Sequence, residues 1–371
     1  MRPLLLACLA LFLAPTLARA QRPTDIWYFG QRAGLSFASG APTPLTNGAM
    51  TTYEGCATAT TRRGELLFYT DGQTVWNRQH QPMQGGRHLL GSGSSTQSAL
   101  IVPDPGSGNV FYVFTVAPQG GPDGLRYSVV DMTRDNNLGD VARANLLLLT
   151  PVAEKLAAVR HANGRDVWVL AHRWNSNAFV AYLVTANGVS AKPVVSNVGA
   201  TTGGPGGNAI GALKFAPDGT KLAAALWRDN NRFEVYDFDR ATGQVSNPRS
   251  FGPYQEAYGV EFSPDGTKLY GTANGNSSAK NIAAGALETQ VLQFDLATKQ
   301  VAPIGHSSNH KIGALQRGPD GKIYVAREDN SFLGVIDNPN AAGPAARYTD
   351  DGLNLGGRRS KLGLPAFVVE P

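Results

Sequence analysis

A glycine-bearing turn followed by a short aromatic or aliphatic run recurs along the whole chain, and that recurrence limits what it can fold into. Arg63-Gly64 precedes Glu65-Leu66-Leu67-Phe68-Tyr69, Gly106-Ser107-Gly108 precedes Val110-Phe111-Tyr112-Val113-Phe114, and Asn163-Gly164 precedes Val167-Trp168-Val169-Leu170. Three later copies share Pro-Asp-Gly, ending at Gly219, Gly266 and Gly321, and a seventh run, Ile26-Trp27-Tyr28-Phe29, stands without its turn. Successive turn glycines are 44, 56, 55, 47 and 55 residues apart. That is the period of a four-stranded propeller blade with variable loops.

Each period reads strand by strand. In the fifth, Ile210 to Phe215 alternates as an inner strand, Pro-Asp-Gly turns it, and Lys221 to Trp227 returns. Asp229-Asn230-Asn231 then turns into Phe233-Glu234-Val235-Tyr236, and Thr242-Gly243 leads to a more polar edge. A lone sheet of this kind exposes two apolar faces, so the units must stack, and a ring leaves no exposed end. The expected fold is therefore all-β, a seven-bladed β-propeller of four-stranded antiparallel blades. The first unit lacks an inner strand, whereas Leu362-Gly363-Leu364-Pro365-Ala366-Phe367-Val368 reads as an inner strand with nothing after it. The C-terminal strand is expected to pair into the Trp27 blade and clasp the ring. The repeats run without a linker, which predicts one domain over residues 21–371, and 43 Gly with 23 Pro suit many tight turns.

Residues 1–20 read as a signal peptide. Arg2 is followed by an apolar stretch from Leu4 to Leu17 and by Ala18-Arg19-Ala20, a small-x-small cleavage site. Leu5-Leu6-Ala7-Cys8 resembles a lipobox, but almost no apolar segment precedes it. The protein is expected to be exported, to an extracellular, cell-surface or periplasmic location. No later run approaches the ~20 apolar residues of a membrane-spanning helix. Cleavage leaves Cys56 as the one cysteine, which excludes an intramolecular disulfide and reads as a small buried thiol. The net charge of +5 falls to +3 when Arg2 and Arg19 leave. Basic residues are scattered apart from Arg358-Arg359-Ser360-Lys361, which reads as a solvated loop and not a nucleic-acid site.

Several phrases together resemble a known group. Tyr53-Glu54-Gly55-Cys56-Ala57, Phe68-Tyr69-Thr70-Asp71-Gly72, Val75-Trp76-Asn77, Ser94-Ser95-Thr96-Gln97-Ser98-Ala99, Tyr258-Gly259-Val260-Glu261-Phe262-Ser263 and Gly318-Pro319-Asp320-Gly321-Lys322-Ile323-Tyr324 look like the propeller region of large secreted proteins of the Bacteroidota. In those proteins, immunoglobulin-like modules and a gliding-motility-associated or type IX secretion sorting domain often follow. The resemblance spans about residues 25–369 and implies a secreted or surface propeller, but carries no established reaction. No sorting domain follows the last strand in this sequence, so free secretion or periplasmic residence is expected as readily as surface attachment.

Two candidate sites follow from the propeller expectation. If the glycine turns lie on one face, the loops before the inner strands form the other face, around the channel mouth. Ten residues before the turn glycine stand Glu54, Glu154, Ala209, Glu256 and Lys311, with Gln97 in the equivalent neighbourhood of the third unit. Glu54, Glu154 and Glu256 would thus form a carboxylate ring able to hold a divalent cation or an amine, or be neutralised by Lys155 and Lys311. The alternative is that they hydrogen-bond backbone amides at strand starts. The second candidate is the set of turns after the second strands: Asp71, His172 with Trp174, Trp227 with Asp229, and Glu328. Aromatic planes beside fixed polar groups suit a glycan or a peptide; otherwise the tryptophans cover gaps between blades and the Asp residues turn the chain.

Enzymatic patterns are largely absent. Thr70-Asp71-Gly72-Gln73-Thr74-Val75-Trp76 resembles the Asp-box of sialidases but lacks its spacer and occurs once, His161 and His172 form no compact zinc pattern, and Gly203-Gly204-Pro205-Gly206-Gly207 precedes no helix. The resulting reading is a non-catalytic binding module for a glycan, peptide or envelope protein, with a hydrolase or lactonase using a divalent cation at the channel mouth as the alternative. N-terminal sequencing of the exported protein should begin at Gln21 or within two residues of it; a lipid-modified Cys8 would overturn the signal-peptide reading.

Overall fold

The computed structural model describes residues 24–275, 277, 288–308 and 310–371, so the leader and its cleavage site lie outside the described residues. Among the described residues the regular structure is strand, interrupted by four short 3-10 turns and no α-helix. The described strands form six sheets; the nine-stranded one divides at a parallel pair between Gln84 and Asp140 into two antiparallel parts, which are counted as separate groups, seven groups in all. Their innermost members are β1 (Ile26–Phe29), β2 (Cys56–Thr60), β3 (Ala99–Pro103), β4 (Val152–Arg160), β5 (Leu213–Phe215), β6 (Ala257–Phe262) and β7 (Ile312–Arg317). The last three groups are separate four-stranded sheets, and the first has only three strands. In the fifth, Lys221–Leu226, Arg232–Asp239 and Gln244–Phe251 follow β5 in order, with Leu213 opposite Ala224 and Leu222 opposite Tyr236.

The turns form for local reasons. Gly219, Gly266 and Gly321 take φ of 69°, 69° and 84°, a region in which a side chain is strained. Asp218 Oδ1 accepts the Thr220 amide at 2.9 Å and Asp265 Oδ1 the Thr267 amide at 3.0 Å, so Pro-Asp-Gly closes by its own hydrogen bonds.

Packing then links the groups. The apolar cluster of Phe68, Val75, Ile101 and Phe111 joins the second group to the third, and Leu100, Phe114, Leu156 and Tyr182 join the third to the fourth. Trp168, Phe179, Phe215 and Tyr236 join fourth to fifth, Phe233, Phe262 and Phe294 fifth to sixth, and Tyr270, Val291, Ile312 and Val325 sixth to seventh. A further cluster places Trp27 and Phe29 of the first group against Tyr324 and Leu333 of the seventh and Tyr69 of the second. There Trp27 meets Tyr324 edge-on, with ring centroids 5.7 Å apart, and Phe37 at 5.0 Å. Fully burying each such ring contributes roughly 1.5–3 kcal/mol, and the aromatic geometry adds about 0.5–1.5 kcal/mol per pair.

The C-terminal run departs from the sequence expectation. It does not add a fourth strand to β1. Arg359 makes a single antiparallel bridge to Gln31, and then β8 (Pro365–Ala366) pairs parallel with β2 while β9 (Val368–Val369) pairs parallel with β4. The direction is that of an inner strand, but the ladder is shared between the second and fourth groups. Pro365 has no N–H to give a continuous ladder. Contact with the first group is instead through side chains, with Leu364 in the Trp27 cluster and Phe367 at 6.2 Å from the Trp27 ring. The run passes so close to the second group that a Cβ on Gly363 would lie 1.7 Å from the Glu54 carbonyl oxygen. Gly363→Ala should therefore lower stability by about 1–3 kcal/mol, as overpacking does, whereas Gly108→Ala, where a Cβ meets nothing within 4 Å, should leave the melting temperature unchanged in parallel denaturation curves.

Candidate functional site

The starts of the inner strands converge, and they bring part of the expected carboxylate set together. Glu54, just before β2, and Glu154, on β4, are both buried. Glu154 is richly satisfied: its Oε2 accepts the Thr96 amide at 2.9 Å and hydroxyl at 3.0 Å, and its Oε1 accepts the Gln119 amide at 2.7 Å. Glu54 Oε1 accepts the Tyr258 hydroxyl at 2.8 Å, from β6. Burial, and then the nearby charge of Glu154, push the Glu54 carboxyl up to about 8. Burial raises Glu154 as well, against the pull of its amide donors. The donors around Glu154 favour its ionised form and the Tyr258 hydroxyl does the same for Glu54, in each case against the larger effect of burial.

Glu256 does not join them. It takes a left-handed φ of 55° immediately before β6, and its carboxylate accepts the Ser277 hydroxyl. A register irregularity lies between Ala257 and Val260, and β4 and β7 carry like ones between Val152 and Leu156 and between Ile312 and Leu315. From this strand start it is Tyr258, two residues later, that reaches Glu54. Among the described residues no three His, Cys, Asp or Glu side chains are grouped to hold a metal ion, so the three-carboxylate ring is not assembled.

Lys155 is fully buried beside Glu154 and caps three carbonyl oxygens at the end of the glycine-rich loop: Ile210 at 2.8 Å, Gly211 at 2.7 Å and Ala209 at 3.4 Å. Burial lowers its ammonium to about 7, with Glu154 opposing that fall. Lys311 is half-buried, and its carbonyl accepts the Glu328 amide at 2.9 Å.

The remaining expected residues are mostly committed to the fold. Gln97 ties β4 to β5: its Oε1 accepts the Leu156 and Leu213 amides at 3.1 and 2.7 Å, and its Nε2 donates to the Leu213 carbonyl at 2.9 Å. Asp71 Oδ1 accepts the Gln73 and Thr74 amides at 2.9 and 2.8 Å, a turn-closing role, and burial raises its carboxyl. His172 is buried edge-on against Phe179 at 4.7 Å; burial, then the charge of Lys155, lower its imidazole to about 3. His161 is half-buried and turns its own loop by accepting the Asn163 amide. Burial pushes the Cys56 thiol upward, leaving it inert.

The tryptophans are not platforms. Trp174 is 8% exposed and covers Ala153 and Ala209, and Trp227 is 7% exposed and packs with Tyr258 and Leu362. Both fill gaps between strand groups. Asp229 is exposed and accepts the Asn208 side-chain amide at 2.8 Å, fastening the loop of Gly203 to Gly207. The exposed aromatic at this mouth is Tyr53, 37% exposed, whose hydroxyl donates to Glu328. Lys361 stands over the Tyr53 ring at 5.3 Å and pairs with Asp329 at 2.6 Å, and Gln31 Nε2 donates to Asp329 at 3.4 Å. The Arg358 to Lys361 run is thus no solvated loop throughout: Arg358 donates to the Thr46 carbonyl, and only Arg359 stands exposed without helping to seat the run by its side chain. Tyr53 heads the phrase Tyr53-Glu54-Gly55, so its place before an inner strand was the available signal.

No protein-family model matches the chain, and no curated protein matches it in sequence. Solved structures do resemble it in shape. A candidate 6-phosphogluconolactonase of Bacteroides fragilis superposes with a TM-score of 0.56 at 11% identity, covering 95% of this chain and 99% of that one. A second candidate of the same description, from Bacteroides uniformis, gives 0.52 at 12% identity over 89% and 98%, and the Dos1 propeller gives 0.50 at 12% identity over 83% and 75%. At such identities the likeness establishes the fold alone, and that fold is a β-propeller. Among the described residues no helix is long and apolar enough to cross a membrane.

The electrostatics of the mouth yield a pH signature. The folded-state pKa of Glu54, about 8, stands above its ordinary 4.5, so over that interval the unfolded chain gives up a proton that the folded one keeps. Its contribution is present in full below pH 4.5 and is lost as pH rises through 8. The melting temperature of wild type relative to Glu54→Gln should fall across this window and level off above it; a difference independent of pH would refute the buried, protonated Glu54.

Proposed function

We propose that the seven strand groups are the blades of one closed ring formed by residues 21–371 after removal of a 20-residue signal peptide, and that this exported propeller is a non-catalytic binding module for a glycan, a peptide or an envelope protein. The Trp27 to Tyr324 contact supports the ring. The observation that carries the binding reading is the exposed Tyr53 ring, set among Glu328, Asp329, Lys361 and Gln31 at the mouth. An amphipathic ring flanked by charges of both signs and an amide donor suits a polar ligand with an apolar face. The carboxylates beneath it are already matched by amide and hydroxyl donors, which favours binding over catalysis.

A lactone-hydrolysing alternative draws on two fold relatives described as candidate 6-phosphogluconolactonases and on a buried Glu54 poised near neutrality. The divalent cation once expected there has weaker support, since Glu256 bonds elsewhere. The discriminating experiment is a glycan and peptide array with the mature protein, repeated in chelator, beside a lactone-hydrolysis assay. Tyr53→Ala should weaken array binding roughly tenfold or more. Trp174→Ala should leave the affinity intact while costing about 3–5 kcal/mol of stability. Hydrolysis that vanishes in Glu54→Gln would overturn the non-catalytic reading.

A further inference from the structure

The exposed face around Tyr53 already holds a cation, and that cation comes from the chain itself. Among the described residues, the exposed large hydrophobic side chains are Tyr53, Leu147, Val195 and Val301, so Tyr53 is the one aromatic. The Lys361 ammonium stands over its ring, 5.3 Å from the centroid, and lies 2.6 Å from Asp329 Oδ1. The Tyr53 hydroxyl donates to Glu328 Oε1, which fixes a second carboxylate at the edge of the same ring. An aromatic face beside carboxylates is the chemistry that recognises an organic ammonium.

Three parts of the chain supply these groups. Tyr53 precedes β2, Glu328 and Asp329 follow the strand Ile323–Arg327, and Lys361 lies in the C-terminal run. Asp329 sits in the turn with a left-handed φ of 54°, and the oxygen that pairs with Lys361 also accepts Gln31 Nε2 at 3.4 Å. Of the two carboxylates, only Asp329 forms an ion pair among the described residues, so together they carry more negative charge than Lys361 offsets.

The Lys361 side chain is not what seats its run. On one side the Ser360 amide donates to the Asn330 carbonyl at 2.8 Å. On the other the Leu362 amide donates to the Tyr53 carbonyl at 2.9 Å, and the Leu362 carbonyl accepts the Ala314 amide at 2.8 Å. Ser360 and Leu362 are buried, whereas Asp329 is exposed. Backbone bonds and burial therefore hold the run on both sides of Lys361, while an ion pair to an exposed carboxylate is weak. The ammonium can leave without unseating the strand.

We propose that this face binds the ammonium of a lysine side chain from a peptide or protein partner, in the place that Lys361 fills. The inference rests on the binding role proposed for the Tyr53 surface and gives that partner its chemistry, a basic segment and not a neutral glycan. Lys361 is then a tethered competitor at high effective concentration, which a partner must displace and which holds the affinity of the wild type down.

The test is calorimetry on the mature protein with an acetylated and amidated Gly-Lys-Gly-Lys-Gly peptide, beside the same peptide acetylated on both lysine amines. Lys361→Met keeps an unbranched stem and removes the competitor. The lysyl peptide should bind this variant saturably and the wild type about threefold or more weakly, and the acetylated peptide should bind neither. In the Lys361→Met background, Asp329→Asn should weaken the lysyl peptide about threefold, and Tyr53→Ala about tenfold. Equal binding of the two peptides, or binding to Lys361→Met no tighter than to the wild type, would overturn the proposal. Should Lys361→Met not fold, Lys361→Gln takes its place with the same expectation. A neutral glycan that binds through Tyr53 while the lysyl peptide does not would overturn this inference and leave the binding module standing; no Tyr53-dependent binding of any probe would overturn both.

Discussion

Everything in this fold depends on covering two apolar faces of every sheet. Each group of strands presents large side chains on both sides, and each solves the problem by lending one face to the group before it and one to the group after. The solution holds only if the first and last groups also cover one another. Trp27 does this, since its ring is fully buried between Phe37 and Tyr324 and the same cluster reaches Tyr69 of the second group.

Much of the strand architecture was legible because its signals are local. Pro-Asp-Gly turns are closed by the Asp side chain and the glycine φ, and the alternating runs behind them carry their own burial pattern. What was not legible depended on contacts distant in sequence. The C-terminal run has the direction of an inner strand, but which edges accept its hydrogen bonds is decided by Pro365 and by the tight passage of Gly363 beside Glu54. Counting back from the turn glycines treats Glu54, Glu154 and Glu256 alike, and the partners that distinguish them, Tyr258, Thr96 and Ser277, lie far along the chain. Trp174 and Trp227 have the composition of a ligand platform and the burial of spacers.

The charged groups at the converging strand starts are matched from within the chain. At the mouth, buried carboxylates meet hydroxyls and backbone amides, and the buried Lys155 meets carbonyl oxygens, so the ionisable groups are satisfied within the chain. Polar atoms that the fold has fully used are poor candidates for chemistry.

The Trp27 joint also bears on how the chain reaches this state. Trp27 and Tyr324 are separated by most of the sequence, so their contact has a very long loop to close, and folds dominated by such distant pairings assemble slowly. During synthesis the first group is made well before the seventh. Until the last strands arrive, Trp27 and Phe29 have one side without a partner, a sticky surface open to other chains. Crowded nascent chains of this protein are thus most exposed to misassembly at the end made first, and the same rings that stabilise the finished molecule are its greatest hazard on the way there.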